Sequence, residues 1–389
     1  PGPEAPSFRL FLRHPQRQGN CGAAFLKTER NNLSMHRRNF SLALGALSLA
    51  TLAPSVSAQT PVVVRLGYSG IGADNRQFAQ SNTWATTHAL GLVEEEFKND
   101  PGVKFEWYFF RGAGPAVNEA LANKQLDFYS QGDLPSIIGR ASNLRSKILL
   151  VGGTRRPVYL AVPAQSSIQR IAELRGKKVA LQLGTNNHLA AATVLKAHGL
   201  GSKDLTLVNL DSASANAALA SNEVDAAFGD VSFLLLQAQG LVRVAYQSNQ
   251  DTPAAARVGS TFVSEAFESQ HPEIVARVVK AFTRGAHWSS VEANRDELIK
   301  VWGKSGTPDS VLRADLDGVD LKLRHSPLLD EYTRNLYRTK AAQAREFGLI
   351  RRDIEVNDWF EPKYLNAAIR ELKLESFWTP HNAGDKPVA

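Results

Sequence analysis

Between residues 62 and 246 the chain repeats one alternation. Short apolar runs rich in β-branched residues end at glycine-bearing turns and are followed by stretches with helical spacing. Val62–Tyr68, Val103–Phe110, Asp127–Ser130 and Lys147–Val151 form a first set of such runs. Val158–Val162, Val179–Leu183, Thr206–Asn209, Ala226–Phe228 and Val242–Tyr246 form a second. Continuous apolar strands alternating with helices predict parallel or mixed sheets covered on both faces. Because the rhythm starts afresh near 158, two α/β lobes are expected, joined by crossovers near 155 and 250. Lobe 1 would take 60–155 plus 253–389, and lobe 2 would take 156–252. A chain of 389 residues suits two domains and buries enough surface to need no disulfide or metal. Helical patterning is also read over Thr83–Phe97. Residues 271–389 read as nearly all helical, with Trp288, Trp302 and Trp359 on segments expected to pack back onto lobe 1.

The N-terminal region has a different character. Met35 opens a basic stretch, His36-Arg37-Arg38, followed by an apolar run from Phe40 to Ala53 and a small-residue end at Ser55-Val56-Ser57-Ala58. That layout predicts a secretory signal peptide over 35–58 and an exported, periplasmic product. The run is shorter than the roughly 18 residues of a spanning helix. Arg37-Arg38 permits a twin-arginine signal as well as a general secretory one. Residues 1–34 are read as an upstream extension that does not fold with the rest. The only cysteine, Cys21, and the only methionine, Met35, both lie in these segments. The whole chain carries a formal charge of +7, but residues 59–389 hold 38 Lys/Arg against 36 Asp/Glu. The basic excess therefore belongs mostly to the leader, and a nucleic-acid partner loses its main support. With no cysteine after residue 21, thiolate chemistry and cysteine metal sites are excluded from the expected product.

Several ordered segments carry a family resemblance. They are Arg65–Tyr68, Phe110–Ala120, Leu126-Asp127 with Gly132–Pro135, Ile171–Val179, Gly184–His188, Glu223–Asp230 and Asp358–Pro362. Together they span nearly all of residues 62–370 in the right order. The chain resembles periplasmic substrate-binding proteins of ABC importers, in the aliphatic-sulfonate, taurine and nitrate group. The resemblance implies a two-lobe (type II) periplasmic-binding-protein fold with extra C-terminal helices on lobe 1. It implies a solute-binding component that closes over a small organic sulfonate and delivers it to an inner-membrane permease. Taurine, an aryl-sulfonate, nitrate or a thiamine-pyrimidine precursor are the alternative ligands. Where relatives carry Trp-Asp-Pro-Phe, this chain reads Gly229-Asp230-Val231-Ser232-Phe233, so an aromatic wall is missing or replaced there.

Open α/β sheets bind ligands outside the carboxyl ends of their strands. The loops at those ends supply the candidate ligand-binding residues: Ser69, Gly70, Arg111, Gly112, Ala113, Gly114, Gln131, Gly132, Asp133, Thr185, Asn186, Asn187, His188, Asp230 and Ser232. Three of the loops lead into helices, whose free N–H groups and partial positive charge suit an oxyanion. Thr185 reads as an N-cap, with Asn186, Asn187 and His188 as donors in the first turn. Arg111 is the expected charged anchor, because its bidentate fork fits oxyanions. Asp133 and Asp230 are read as helix caps, as groups that orient an arginine, or as partners for an amine on a zwitterionic ligand. Arg155 and Arg156 are read as inter-lobe ion-pairing groups near the hinge, with a ligand contact as the alternative. Trp84 is read as either an apolar wall or a core contact. No HExxH, GxSxG or Walker loop is present, and the desulfinase that shares this architecture needs a nucleophilic cysteine, so no enzyme, no cofactor and no metal are expected. A monomer is expected.

Overall fold

The computed structural model describes residues 60–388. The upstream extension and the export signal, with Cys21 and Met35, lie outside the described residues. The strands are β1 (Val62–Tyr68), β2 (Val103–Phe109), β3 (Phe128–Gly132), β4 (Ser146–Arg156), β5 (Tyr159–Pro163), β6 (Lys178–Ala180), β7 (Thr206–Val208), β8 (Ala226–Gly229), β9 (Val242–Gln247) and β10 (Arg257–Ser264). The α-helices are α1 (Thr83–Ala89), α2 (Leu92–Glu96), α3 (Ala113–Ala122), α4 (Asp133–Ala141), α5 (Asn186–Ala197), α6 (Ser212–Ala220), α7 (Ser232–Ala238), α8 (Glu265–Gln270), α9 (Pro272–Ser290), α10 (Arg295–Gly303), α11 (Asp309–Leu316), α12 (Leu321–Arg324), α13 (Glu331–Glu346) and α14 (Lys363–Glu371).

Two five-stranded sheets result, ordered β2-β1-β3-β10-β4 and β7-β6-β8-β5-β9. In the first, β1 runs parallel to β2 and β3, with Val62 beside Val103 and Leu66 beside Phe128, while β10 is antiparallel to both β3 and β4. The second repeats the plan: β6 is parallel to β7 and β8, and β5 is antiparallel to β8 and β9. In each sheet the inserted antiparallel strand is the one that has just crossed over from the other sheet. The expected mixed α/β architecture is therefore present, and its parallel strands all carry their carboxyl ends toward the crossovers.

Packing follows from side-chain alternation. Along β5, Leu160 and Val162 join a cluster with Val179, Val194 and Phe228, while Tyr159 and Ala161 join another with Leu219 and Phe233. Successive strand residues point to opposite faces, so a run apolar at every position needs cover on both. The first sheet is covered by the C-terminal helices, with Trp84, Trp302 and Trp359 fully buried in its core. Trp84 is thus a core residue, and its Nε1 donates to Thr261 Oγ1 at 2.8 Å. The helix expected over Thr83–Phe97 is broken in two at Gly91, whose φ of 59° is left-handed backbone that favours glycine. The Val179–Leu183 run pairs as a strand only over Lys178–Ala180, because the Leu183 N–H turns to Asn209 Oδ1.

Two crossovers lie side by side. Val158 N donates to Ser248 Oγ and Ser248 N donates to Val158 O, both at 3.0 Å. Arg257 donates through Nε and Nη2 to the Pro157 carbonyl at 3.0 and 2.6 Å. Arg155, the penultimate residue of β4, takes a left-handed φ of 54°. Its guanidinium pairs with Asp385 of the C-terminal segment and stacks over Tyr332 at 4.1 Å.

At the start of α4, Asp133 is fully buried. Its Oδ1 accepts from Leu134 N at 2.7 Å and its Oδ2 from Val258 N at 3.2 Å. Lys340 on α13, equally buried, places Nζ 3.5 Å from Asp133 Oδ2 with no hydrogen bond among the described residues. Losing one partner of such a pair strands a buried charge. Lys340→Met should lower the unfolding free energy by about 3 kcal/mol, and Asp133→Asn by more, since the ammonium has no other acceptor. Urea titration of the two variants and of the double variant measures both effects and their coupling.

Burial also pushes His88, His188, His287 and, most strongly, His325 below the ordinary imidazole value of 6.5. These rings stay neutral in the fold but gain protons when unfolded. Their contribution is therefore full above about pH 6.5 and is lost as pH falls below it. Melting temperature should be flat from pH 8 to 7 and fall toward pH 5, and His325→Phe should flatten that fall.

Candidate functional site

The gap between the two sheets is lined by the carboxyl-end loops of their parallel strands, and four of the contacts that cross it lie among these loops. Gly132, at the end of β3, faces Asn186 so closely that a Cβ on it would lie 2.8 Å from the Asn186 side chain. Pro115, in the first turn of α3, sits against Gly184, where a built Cβ meets its Cγ at 3.2 Å. Asn187 Oδ1 accepts from Arg257 Nη1 at 2.6 Å. Arg111 lies 3.4 Å from Asp211, which caps α6 through Ser214 N.

The structure distributes the sequence candidates unevenly. Gly112, Ala113 and Gly114 form the turn into α3, whose N-cap Gly112 brings no side-chain acceptor. Ala113 adopts a φ of 53°, a strained value for a residue with a Cβ. Gly114 is packed on Pro135 and its carbonyl accepts from Gln131 Nε2 at 2.9 Å. Gln131 is buried, and its Oε1 has no partner among the described residues. Ser69 and Gly70 follow Tyr68, whose ring packs on Gly70.

Across the gap, Thr185 holds the N-cap position of α5 without capping it. Its hydroxyl donates instead to Gln182 O at 2.8 Å, so the helix N-terminus keeps its N–H groups uncapped by side chains. His188 Nδ1 accepts from Gly184 N at 3.2 Å, which assigns the proton to Nε2. Burial holds this ring below its usual value, so it acts as a neutral donor rather than a cation. Asp230 Oδ1 accepts from Ser232 N at 3.1 Å.

Two sequence expectations are displaced. Arg111 is well exposed at the rim and engaged with Asp211, so it does not stand as a lone cation within the gap. Asp133 is committed to backbone and to Lys340 and presents no oxygen to a ligand. In their place the structure brings in residues that the strand-end reasoning missed. Arg257 is buried and pulled down to about 10, first by desolvation and then by the charge of Arg156. Arg324 pairs with Asp315 at 3.3 Å, both buried, and donates to Arg155 O. Arg257 was legible only as a lone cation at the head of an apolar run, and Arg324 carried no sequence signal.

A pocket of about 10 Å³, room for roughly one water, lies in the second-sheet half beside Asn187, Asp230 and Ser232. A larger cavity, about 340 Å³, lies at the far pole of the first sheet around Arg140, Lys147 and Glu265, away from the strand carboxyl ends. Its Arg140 is already paired with Glu265 and Asp358.

The family described as NMT1/THI5 like matches residues 112–292. An aliphatic sulfonates-binding protein of Escherichia coli (strain K12) is 28% identical over 288 residues, which are 72% of this chain and 83% of that protein. The structure of a periplasmic sulfonate-binding protein, SsuA from Methylobacillus flagellatus KT, superposes with a TM-score of 0.70 at 31% identity, covering 83% of this chain and 98% of that one. The desulfurization enzyme DSZB shares the fold at 18% identity, with a TM-score of 0.62 over 79% of this chain and 99% of that one. The chain belongs to the NMT1/THI5-like family, alongside the periplasmic aliphatic-sulfonate-binding proteins.

Proposed function

We propose that this protein is the periplasmic solute-binding component of an ABC importer, closing over a small organic sulfonate and presenting it to an inner-membrane permease. The observation that carries this reading is the pair of helix N-termini, α3 and α5, that meet the gap from opposite sheets without side-chain caps. Uncapped N–H groups and the helix dipole offer a sulfonate directed donors without a dense basic patch. The near balance of 38 cationic and 36 acidic residues after position 58 fits such a site.

On this reading the two halves move as lobes, 60–155 plus 253–389 against 156–252, about the paired crossovers. The contacts of Gly132 with Asn186 and of Arg257 with Asn187 hold the halves together, and parting them opens the way for an organic anion. Ser69, Gly70, the Gly112–Gly114 turn, Gln131, Gly132 and the Thr185–His188 turn then face the ligand, with Asp230 and Ser232 at its far side. The protein acts as an exported monomer and makes or breaks no bond. The desulfinase chemistry of a fold neighbour needs a thiolate, and the sole cysteine here is Cys21, upstream of the export signal.

Isothermal titration of the protein lacking residues 1–58 against alkanesulfonates, taurine, benzenesulfonate and nitrate tests the reading. One-to-one binding of a sulfonate is expected, and no heat with any sulfonate would overturn it. Gly132→Ala provides a sharper check. Gly132 has φ −74° and ψ 171°, which alanine adopts freely, so the nearest obstacle to the added Cβ is Asn186 across the gap. The variant should fold normally yet lose about tenfold in affinity, some 1.4 kcal/mol, by obstructing closure.

A further inference from the structure

We infer that Arg156, at the end of β4, is the charged anchor that seats the anionic headgroup, with the Tyr68 hydroxyl as a neutral donor beside it. The inference rests on the binding-protein reading above and specifies how that site recognises charge.

Four arginines surround the crossovers, and three are engaged. Arg155 pairs with Asp385 and donates to Leu323 O. Arg257 holds Pro157 O and Asn187. Arg324 holds Asp315 and Arg155 O. Arg156 has neither an ion pair nor a side-chain hydrogen bond among the described residues, although it is partly buried. In the β4–β10 ladder it stands directly opposite Arg257. Directly paired residues of antiparallel strands project from the same face, so Arg156 shares the face from which Arg257 reaches into the gap toward Asn187.

The surrounding charges support that placement. Arg156 helps to depress Arg257 and Arg324, and its field favours ionisation of Tyr68 and Tyr159. It therefore lies among groups contributed by β1, β5, β10 and α12. Two carboxylates share this neighbourhood, Asp315, paired with Arg324, and Asp230, whose charge reaches both Tyr68 and Arg257. Three guanidinia (Arg156, Arg257 and Arg324) against two carboxylates leave one positive charge in excess. A ligand anion would neutralise that excess and relieve the repulsion between Arg156 and Arg257. Asn82 Nδ2 donates to Tyr68 Oη at 2.9 Å, and burial keeps this phenol protonated, which leaves its O–H to donate to an anion at the same place. From sequence Arg156 reads first as an ion-pairing group and second as a ligand contact, because nothing in the chain order shows that the acids nearby are already claimed.

The test compares wild type, Arg156→Gln, Tyr68→Phe and the surface control Arg175→Gln by isothermal titration with the sulfonate panel and with phosphate, acetate and nitrate. Arg175 is exposed and paired with Asp204, so it removes the same charge far from the gap. We expect Arg156→Gln to lose about 100-fold in affinity, Tyr68→Phe about tenfold, and the control less than twofold. Wild-type binding of a sulfonate that Arg156→Gln retains within threefold would overturn the inference and leave the sulfonate reading standing. Arg156-dependent binding of another anion, with no sulfonate bound, would overturn the sulfonate reading and support the anchor. No binding of any anion would overturn both. Should Arg156→Gln fail to fold, a crystal structure of the wild-type protein with the bound anion decides. A ligand oxygen within hydrogen-bonding distance of Arg156 supports the assignment, and an anion seated elsewhere ends it.

Discussion

The structure turns on one guanidinium. Arg257 enters the first sheet from the second crossover, and its donors hold the Pro157 carbonyl of the first crossover and Asn187 at the head of α5. Both connections between the sheets, and the helix that closes the gap, thus share one rigid planar group. Burying a guanidinium is costly unless its donors are satisfied, which is why this one takes a carbonyl and an amide together. Desolvation lowers it to about 10, still far above neutral pH, so it remains charged as it ties these parts together.

From that node the closed arrangement follows. Asn187 held by Arg257 sets the first turn of α5 against Gly132, where only a residue without a side chain leaves room. Further along α5, Leu189 is buried in the core of the first sheet, and Thr193 and Lys196 reach Gln343 and Glu346 on α13. On the opposite rim, Arg111 and Asp211 make an exposed ion pair of small worth. Closure is therefore built mainly from packing along α5, with the exposed ion pairs adding little.

Much of the fold was legible in the chain. The run Val158–Val162 is apolar at every position and could only be a strand covered on both faces, and β5 is one. The restart of the alternation after residue 158 marked a second sheet, and the tryptophan-bearing tail marked the helices that cover the first. The places where the reading failed share a cause. Thr185 has the residue type of an N-cap, yet its hydroxyl turns back to Gln182. Asp133 has the residue type of a ligand contact, yet Lys340, more than two hundred positions away, claims it. Residue type states what a side chain can bond to, and only its neighbours state what it does bond to.

By itself the sequence determined the kind of element at each position, the count of sheets and the set of loops at strand ends, because these depend on local periodicity and turn chemistry. Tertiary structure alone decided which charged groups are already satisfied. Arg111 and Arg156 are both arginines at strand ends, but one finds Asp211 across the rim while the other stands beside two further arginines whose partners are taken. That difference depends on distances between residues remote in the chain. Electrostatic interaction falls with separation in space and is indifferent to separation in sequence.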